Sequence, residues 1–359
     1  MIVRRQLAAL ALSSLALGTA FAGPAMAQGD VSAILNRIRT GNTQSATPSP
    51  PPAASQPITG EPIPVTLKKW MGSKKAFEIF PNRVFIAGYN LGGFRTAKTT
   101  GRASGGFMST NPGAATTVEL VAGGIDPPLL TRIANAAYAD LASQLAAAGF
   151  DVVTLDQARN AAGFDKLKLD AAPYDVEVPA DRGNMRGVVV GPVLTGVRGN
   201  YPLAKTEFGS FGAPELSLTL ESMVVMPNLM LDFASLRSSR SIGFTASASA
   251  SLGFDLAKGY SHMRVMASRR KQFLEGDYIF GIDAAQVPET PIGTITDSVE
   301  SNNRDQQLLG RALGAPVQAR SRETSVAQID QARYEAMALA AAKGWNAAFV
   351  AQLRTMTGR

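Results

Sequence analysis

The chain has 359 residues, no cysteine, a single histidine and a formal charge of +7. The missing cysteines exclude disulfides, zinc-thiolate sites, iron–sulfur clusters, thiol nucleophiles and a lipid-anchor cysteine, and one histidine excludes a multi-histidine metal centre. Hydrophobic residues at 45% and charged residues at 18% suffice for a buried core, so global disorder is excluded too.

Residues 1–27 read as a secretory signal peptide. Arg4 and Arg5 precede the short apolar run Leu7 to Leu17, and Ala25-Met26-Ala27 has the small-x-small cleavage pattern. The run is too short for a span of about 20 residues. Cleavage would leave a chain starting at Gln28 with a charge of +5. Its basic residues are scattered, and an exported chain rarely meets nucleic acid, so none is expected as a partner.

Residues 28–41 predict a short amphipathic helix, with Asp30 as N-cap and Val31, Ile34, Leu35 and Ile38 on one face. Residues 42–64 form a linker rich in Pro, Ser and Thr. The folded domain is expected over 65–359. Arg83 to Tyr89 predicts a buried strand, residues 92–117 a long loop, and Val118 to Val121 a second, more exposed strand after it.

The strongest helix signal covers 127–148. Asp126 is a good N-cap, Pro127 suits the first turn, and Leu130, Ile133, Ala137, Leu141 and Leu145 form one stripe ended by Gly149. Phe150 to Leu155 predicts a strand beside the first. Residues 166–214 read as a second long loop with a strand at Val188 to Val190. Strands follow at 216–226, 228–233, 242–256, 263–266 and 278–284, as antiparallel neighbours. Ser325 and Gln328 have capping-box spacing and open a predicted helix over 326–343, which Gly344 ends or kinks before a last short helix at 345–353. The expected fold is α+β: a mixed, mostly antiparallel sheet with the 127–148 and 326–343 helices packed on it.

No motif earns a catalytic, metal or cofactor assignment. Gly88-Tyr89-Asn90-Leu91-Gly92-Gly93 follows a strand but opens no helix, so it reads as a loop or bulge rather than a phosphate cradle. Arg102 stands where a nucleophile elbow around Ser104 needs glycine. His262 reads as a surface or turn residue. Asp151, Asp156, Asp165 and Asp170 miss the spacing of a calcium loop and read as solvated carboxylates.

The most informative pattern is structural. Ile242, Phe244, Ala246, Ala248, Ala250, Leu252, Phe254 and Leu256 alternate with small or polar residues over fifteen positions. This gives one long strand whose apolar face packs beneath another layer or meets lipid, since 9 to 11 residues suffice for a membrane β-strand.

The order strand Val84-Phe85-Ile86-Ala87, helix ending at Gly149, strand Phe150-Asp151-Val152-Val153, polar Asp156-Gln157-Ala158-Arg159, then Val224-Val225-Met226-Pro227-Asn228, further strands and an Ala-rich helix resembles the periplasmic α/β domain of the curli-secretion channel family (CsgG-like), itself similar to the TolB N-terminal domain. The resemblance covers residues 83–350, with unmatched insertions at 92–117 and 166–214. It implies an envelope scaffold or transport component without catalytic residues, built as a ring that contributes β-hairpins to an outer-membrane pore. The family's lipid-anchored cysteine has no counterpart here.

The expected function is an exported, non-enzymatic cell-envelope protein, periplasmic or outer-membrane associated. It would bind protein partners or itself as a subunit of a secretion or surface-structure system, without a cofactor. The alternatives are an oligomeric outer-membrane pore using 242–256 in a hairpin, and a carboxylate-dependent hydrolase of surface polymers.

Overall fold

The computed structural model describes residues 60–104, 113–166, 173–180, 183–191, 212–238, 240–242, 246–302 and 318–359. The chain divides into units 1–46 and 47–359, and every described residue belongs to the second. The expected signal peptide, the expected 28–41 helix and the expected linker up to residue 59 lie outside the described residues.

The fold is α+β, a mixed and mostly antiparallel sheet carrying two long helices. Fourteen strands join in one branched sheet whose main path runs β1-β12-β11-β8-β3-β4-β14-β13. The strands are β1 (Val65–Gly72), β2 (Arg83–Ile86), β3 (Asn90–Ser104), β4 (Ala114–Gly123), β5 (Asp151–Val152), β6 (Tyr174–Ala180) and β7 (Gly183–Val190). They continue as β8 (Met223–Ser238), β9 (Arg240–Ile242), β10 (Ala248–Leu256), β11 (His262–Ala267), β12 (Gly276–Ala285), β13 (Gly293–Asn302) and β14 (Ala319–Ile329). The helices are α1 (Lys75–Ile79), α2 (Pro127–Ala147), α3 (Leu155–Arg159), α4 (Ala213–Leu220) and α5 (Gln331–Thr357).

Helix α2 starts and stops where its sequence says. The Asp126 side chain accepts from the Leu129 N–H at 2.9 Å, and Gly149 takes the left-handed φ of +85° just past the end. Its stripe is fully buried against α5 and the sheet. On the opposite sheet face, α3 and α4 cover a second, smaller core around Phe85, Val153, Leu216, Val224 and Met266. Strands β2 and β5 pair in parallel, as the strand–helix–strand order requires.

Several local expectations change. Residues 92–117 are largely strand: β3 runs through Ser104 and β4 begins at Ala114, with 105–112 outside the described residues. The 166–214 segment holds β6 and β7. Both regions read as loops because their side chains are small or polar. The 216–226 strand is instead α4 followed by β8. Leu216, Leu218 and Leu220 alternate like a strand, but Pro214 opens a helix and Glu221 closes it at a left-handed φ of +49°. Strand β8 passes through Pro227 unbroken. Its pairing with β2 ends at Val225 and with β3 begins at Asn228, so the proline falls between two ladders.

The C-terminal helix begins later and runs further than expected. Ser325 and Gln328 belong to β14; Asp330 is the cap, accepting from the Arg333 N–H at 3.1 Å. Gly344 does not end α5, which runs on to Thr357. A Cβ there would sit 1.8 Å from the Ile63 carbonyl oxygen, so glycine admits the incoming chain. Ile63 N–H donates to the Ala340 carbonyl at 3.0 Å. The last linker residues, 60–64, thus belong to the folded domain.

Candidate functional site

Strand directions bring four pairs of strand ends to one end of the sheet. β3 and β4 are antiparallel, β14 runs parallel to β4, and β13 is antiparallel to β14. β8 runs parallel to β3 beside Asn90 to Gly93, while β6 and β7 form a hairpin on its flank. Consequently Ser104 and Ala114, Ala180 and Gly183, Ser238 and Ala248, and Asn302 and Ala319 all lie at this end.

The two faces of β3 differ there. Successive side chains of a strand alternate between faces. Ala97, Thr99, Gly101 and Ala103 are buried on one. A Cβ on Gly101 would lie 2.0 Å from the Ser247 carbonyl oxygen, and Thr116 donates to the Ala246 carbonyl at 3.2 Å. The segment entering β10 therefore lies directly on this face, and small residues are what the close approach requires.

The other face carries Lys98, Thr100 and Arg102. Register aligns Arg102 with Ala115 and Arg320, Thr100 with Thr117 and Arg322, and Lys98 with Glu119 and Thr324. The three rows are roughly 7 Å apart along the strands. Together with Ser301 and Gln318 they line a depression of about 630 Å³, which Ser321 and Asn302 border from register positions of the opposite face. Its middle row is low and hydroxylic, with the Thr100 and Thr117 hydroxyls hydrogen-bonded at 3.0 Å. Its rim is long and cationic. Among the described residues, Arg322 pairs with Glu119 at 2.6 Å, and Lys98, Arg102 and Arg320 share this face with them. Towards β6 and β7 the same face is balanced instead, Arg186 pairing with Glu177 at 3.1 Å.

The alternating segment singled out in sequence is divided. Ile242 ends β9, Phe244 lies outside the described residues, and Ala246 precedes β10. Ala248, Ala250 and Leu252 are half-buried, and Phe254 and Leu256 are buried in the main core. Phe254 meets Tyr334 of α5 edge-on at 5.5 Å. β10 forms an antiparallel hairpin with the second half of β8. Ala250, Leu252, Phe254 and Leu256 of this apolar face thus pack against the main core, and no single strand spans 242–256.

That hairpin sets Asp232 opposite Asp255 at an irregular register. Removal from water, with a smaller push from Asp255, raises the Asp232 carboxyl to about 7, although the Phe233 and Ala234 N–H groups donate to it. Its value in the unfolded chain is about 4. Between those limits the folded chain holds a proton that the unfolded chain lacks, so this group's contribution makes stability fall as pH rises through the window. Asp232→Asn keeps the accepting oxygen and should flatten the fall. Urea midpoints at pH 5 and pH 8 check this; identical pH dependence in both chains would refute it.

The remaining candidates are separate. His262 is buried on β11, not at the surface or in a turn; burial lowers it to about 4, and its ring lies 5.8 Å from that of Trp70. Asn90 to Gly93 begin β3, where Gly92 admits the Met230 sulfur and Gly93 admits Ile125 and Leu130. Ser104 ends the same strand. Asp151 pairs with Arg83 at 3.0 Å, Asp156 sits in the first turn of α3, and Asp170 lies outside the described residues. Among the described residues no three His, Asp or Glu side chains gather as a metal site, and no helix is long and apolar enough to cross a membrane.

The basic depression escaped the sequence reading because its halves lie more than 200 positions apart. The one local signal was parity: Lys98, Thr100 and Arg102, and Arg320 and Arg322, repeat at strand spacing. No family model, curated protein or solved structure matches the chain.

Proposed function

We propose that the chain is an exported, non-enzymatic cell-envelope protein that binds a partner as a subunit of a secretion or surface-structure system. The observation that carries this reading is the concave basic surface at the end of the sheet where four pairs of strand ends gather. Rigid strands present the charged side chains, and such a surface suits a recognition face. Export rests on the leader, Arg4 and Arg5 through Ala25-Met26-Ala27. The adjacency of β2 and β5 agrees with the resemblance to the curli-secretion channel family.

Two observations favour this over an outer-membrane pore. The alternating residues of β10 pack onto the protein's own core. The neighbouring hairpins β3–β4 and β13–β14 meet through the parallel pair β4 and β14, whereas single-chain bacterial outer-membrane barrels are antiparallel throughout. Envelope fractionation with alkaline carbonate extraction tests the reading. Recovery with the envelope or periplasm and release by carbonate is the expected result. Cytosolic recovery would remove the exported reading, and retention until detergent is added would favour the pore.

A further inference from the structure

Building on the partner-binding reading, we infer that the basic depression on β3, β4, β14 and β13 is a binding site for an acidic oligosaccharide, a short stretch of glycan bearing carboxylate, sulfate or phosphate groups. The chemistry of the lining leads there. Arg102 and Arg320 flank Ala115 in the row nearest the strand ends, Arg322 stands beside Thr117 in the next, and Lys98 lies in the third. Two strand spacings of about 4.8 Å separate β3 from β14, so Arg102 and Arg320 stand roughly 10 Å apart with only a methyl group between them. An anionic group entering over Ala115 meets guanidinium groups on both sides. Guanidinium forks suit carboxylate, sulfate and phosphate oxygens because two parallel N–H donors match two acceptors.

The rest of the lining explains why the anion should sit on a sugar. The Ser321 hydroxyl is turned away, donating to Thr116 on the opposite face; Thr100, Thr117 and Ser301 supply hydroxyls and Gln318 supplies an amide. Each offers both a donor and an acceptor, the pairing that sugar hydroxyls require. A lipid headgroup would want an apolar wall for its chains, and Ala115 is the one apolar side chain of the lining. The volume, about 630 Å³, lies in the range of small-ligand sites. Arg102, Arg320 and Arg322 are exposed, so a polymer can run on past the bound stretch. Arg322 donates through Nη2 to Glu119 at 2.6 Å, which keeps one arm of its fork beside Thr117.

The test is calorimetric titration of the full mature chain with oligogalacturonate, dextran sulfate of matched length, neutral dextran, inorganic phosphate and phosphatidylglycerol vesicles. Saturable 1:1 binding of an acidic oligosaccharide, weakening as salt rises, is the expected result. Arg102→Ala and Arg320→Ala should each weaken it about tenfold, the loss of a charge-assisted contact. Lys258→Ala and Lys271→Ala, at exposed cations elsewhere, should leave it unchanged. Equal binding of neutral dextran, equal losses in the two control variants, or binding of phosphate or vesicles without the acidic oligosaccharides would each overturn the assignment. The two readings fail separately: a cytosolic chain that binds acidic glycan defeats only the exported reading, and an exported chain that ignores it defeats only this site.

Discussion

Asp277→Ala should destabilise the fold by about 3–5 kcal/mol, because it leaves a buried guanidinium without its counter-charge. Arg264 on β11 donates to Asp277 on β12 through two parallel bonds, Nε to Oδ1 at 2.8 Å and Nη2 to Oδ2 at 2.7 Å. The partners are unequally buried. The Arg264 side chain is 6% exposed and that of Asp277 is 27% exposed. Water can therefore rescue the carboxylate more readily than the guanidinium. Arg264→Met should cost less than Asp277→Ala, about 1–3 kcal/mol, since the aspartate left behind can rehydrate while the methionine fills the guanidinium's apolar path. Arg264→Met with Asp277→Leu should recover much of the loss, because no charge is then left alone. Urea unfolding of the three chains reads this order directly. Arg264→Met proving the worse single change would mean that Asp277, not Arg264, is the group burial has made vulnerable.

What the sequence disclosed followed from how local each signal is. Helix α2 was legible because cap, first-turn proline, apolar stripe and terminal glycine all lie within 126–149. The central strands β2, β11 and β12 were legible because their apolar runs are short and bounded. Strands β13 and β14 were not, since β13 is an edge strand with Thr294, Ser298 and Glu300 exposed, and it shows little apolar alternation. β3 failed for another reason. Its Gly101 is set by the close approach of Ser247, nearly 150 positions away, so composition alone reads as loop. The same non-locality hid the basic depression, which exists only once β14 pairs in parallel with β4. Ser325 and Gln328 misled because a spacing of three occurs in strands as well as at helix starts; the true cap, Asp330, lies just beyond.

The second large effect concerns the seam between α2 and α5, the two long helices that cover the main core. Asn346 on α5 is fully buried and sits at the centre of a polar network. The Tyr89 hydroxyl donates to its Oδ1 at 3.1 Å, and its Nδ2 donates to the Ala137 carbonyl and to Asp140 Oδ2, both at 2.9 Å. Gln144 donates to the same Asp140 oxygen at 2.7 Å, so the carboxylate keeps one partner when Asn346 is lost. Burial together with the nearby Asp140 charge raises the Tyr89 hydroxyl well above its ordinary range, so it stays a proton donor needing an acceptor. Asn346→Leu removes that acceptor in a region closed to water. The expected cost is about 2–5 kcal/mol, one to three for the abandoned tyrosine hydroxyl and the rest for the Asp140 and Ala137 oxygens. Tyr89→Phe then removes the orphaned donor. Added to Asn346→Leu it should restore about 1–3 kcal/mol, where on its own it costs stability. A thermodynamic cycle over the four chains measures this coupling. Strict additivity would mean that the tyrosine finds another acceptor and that the seam is held by Trp345 and Phe349 packing alone; a coupling of the expected size would make the Tyr89–Asn346 contact the polar lock between β3's approach and the C-terminal helix.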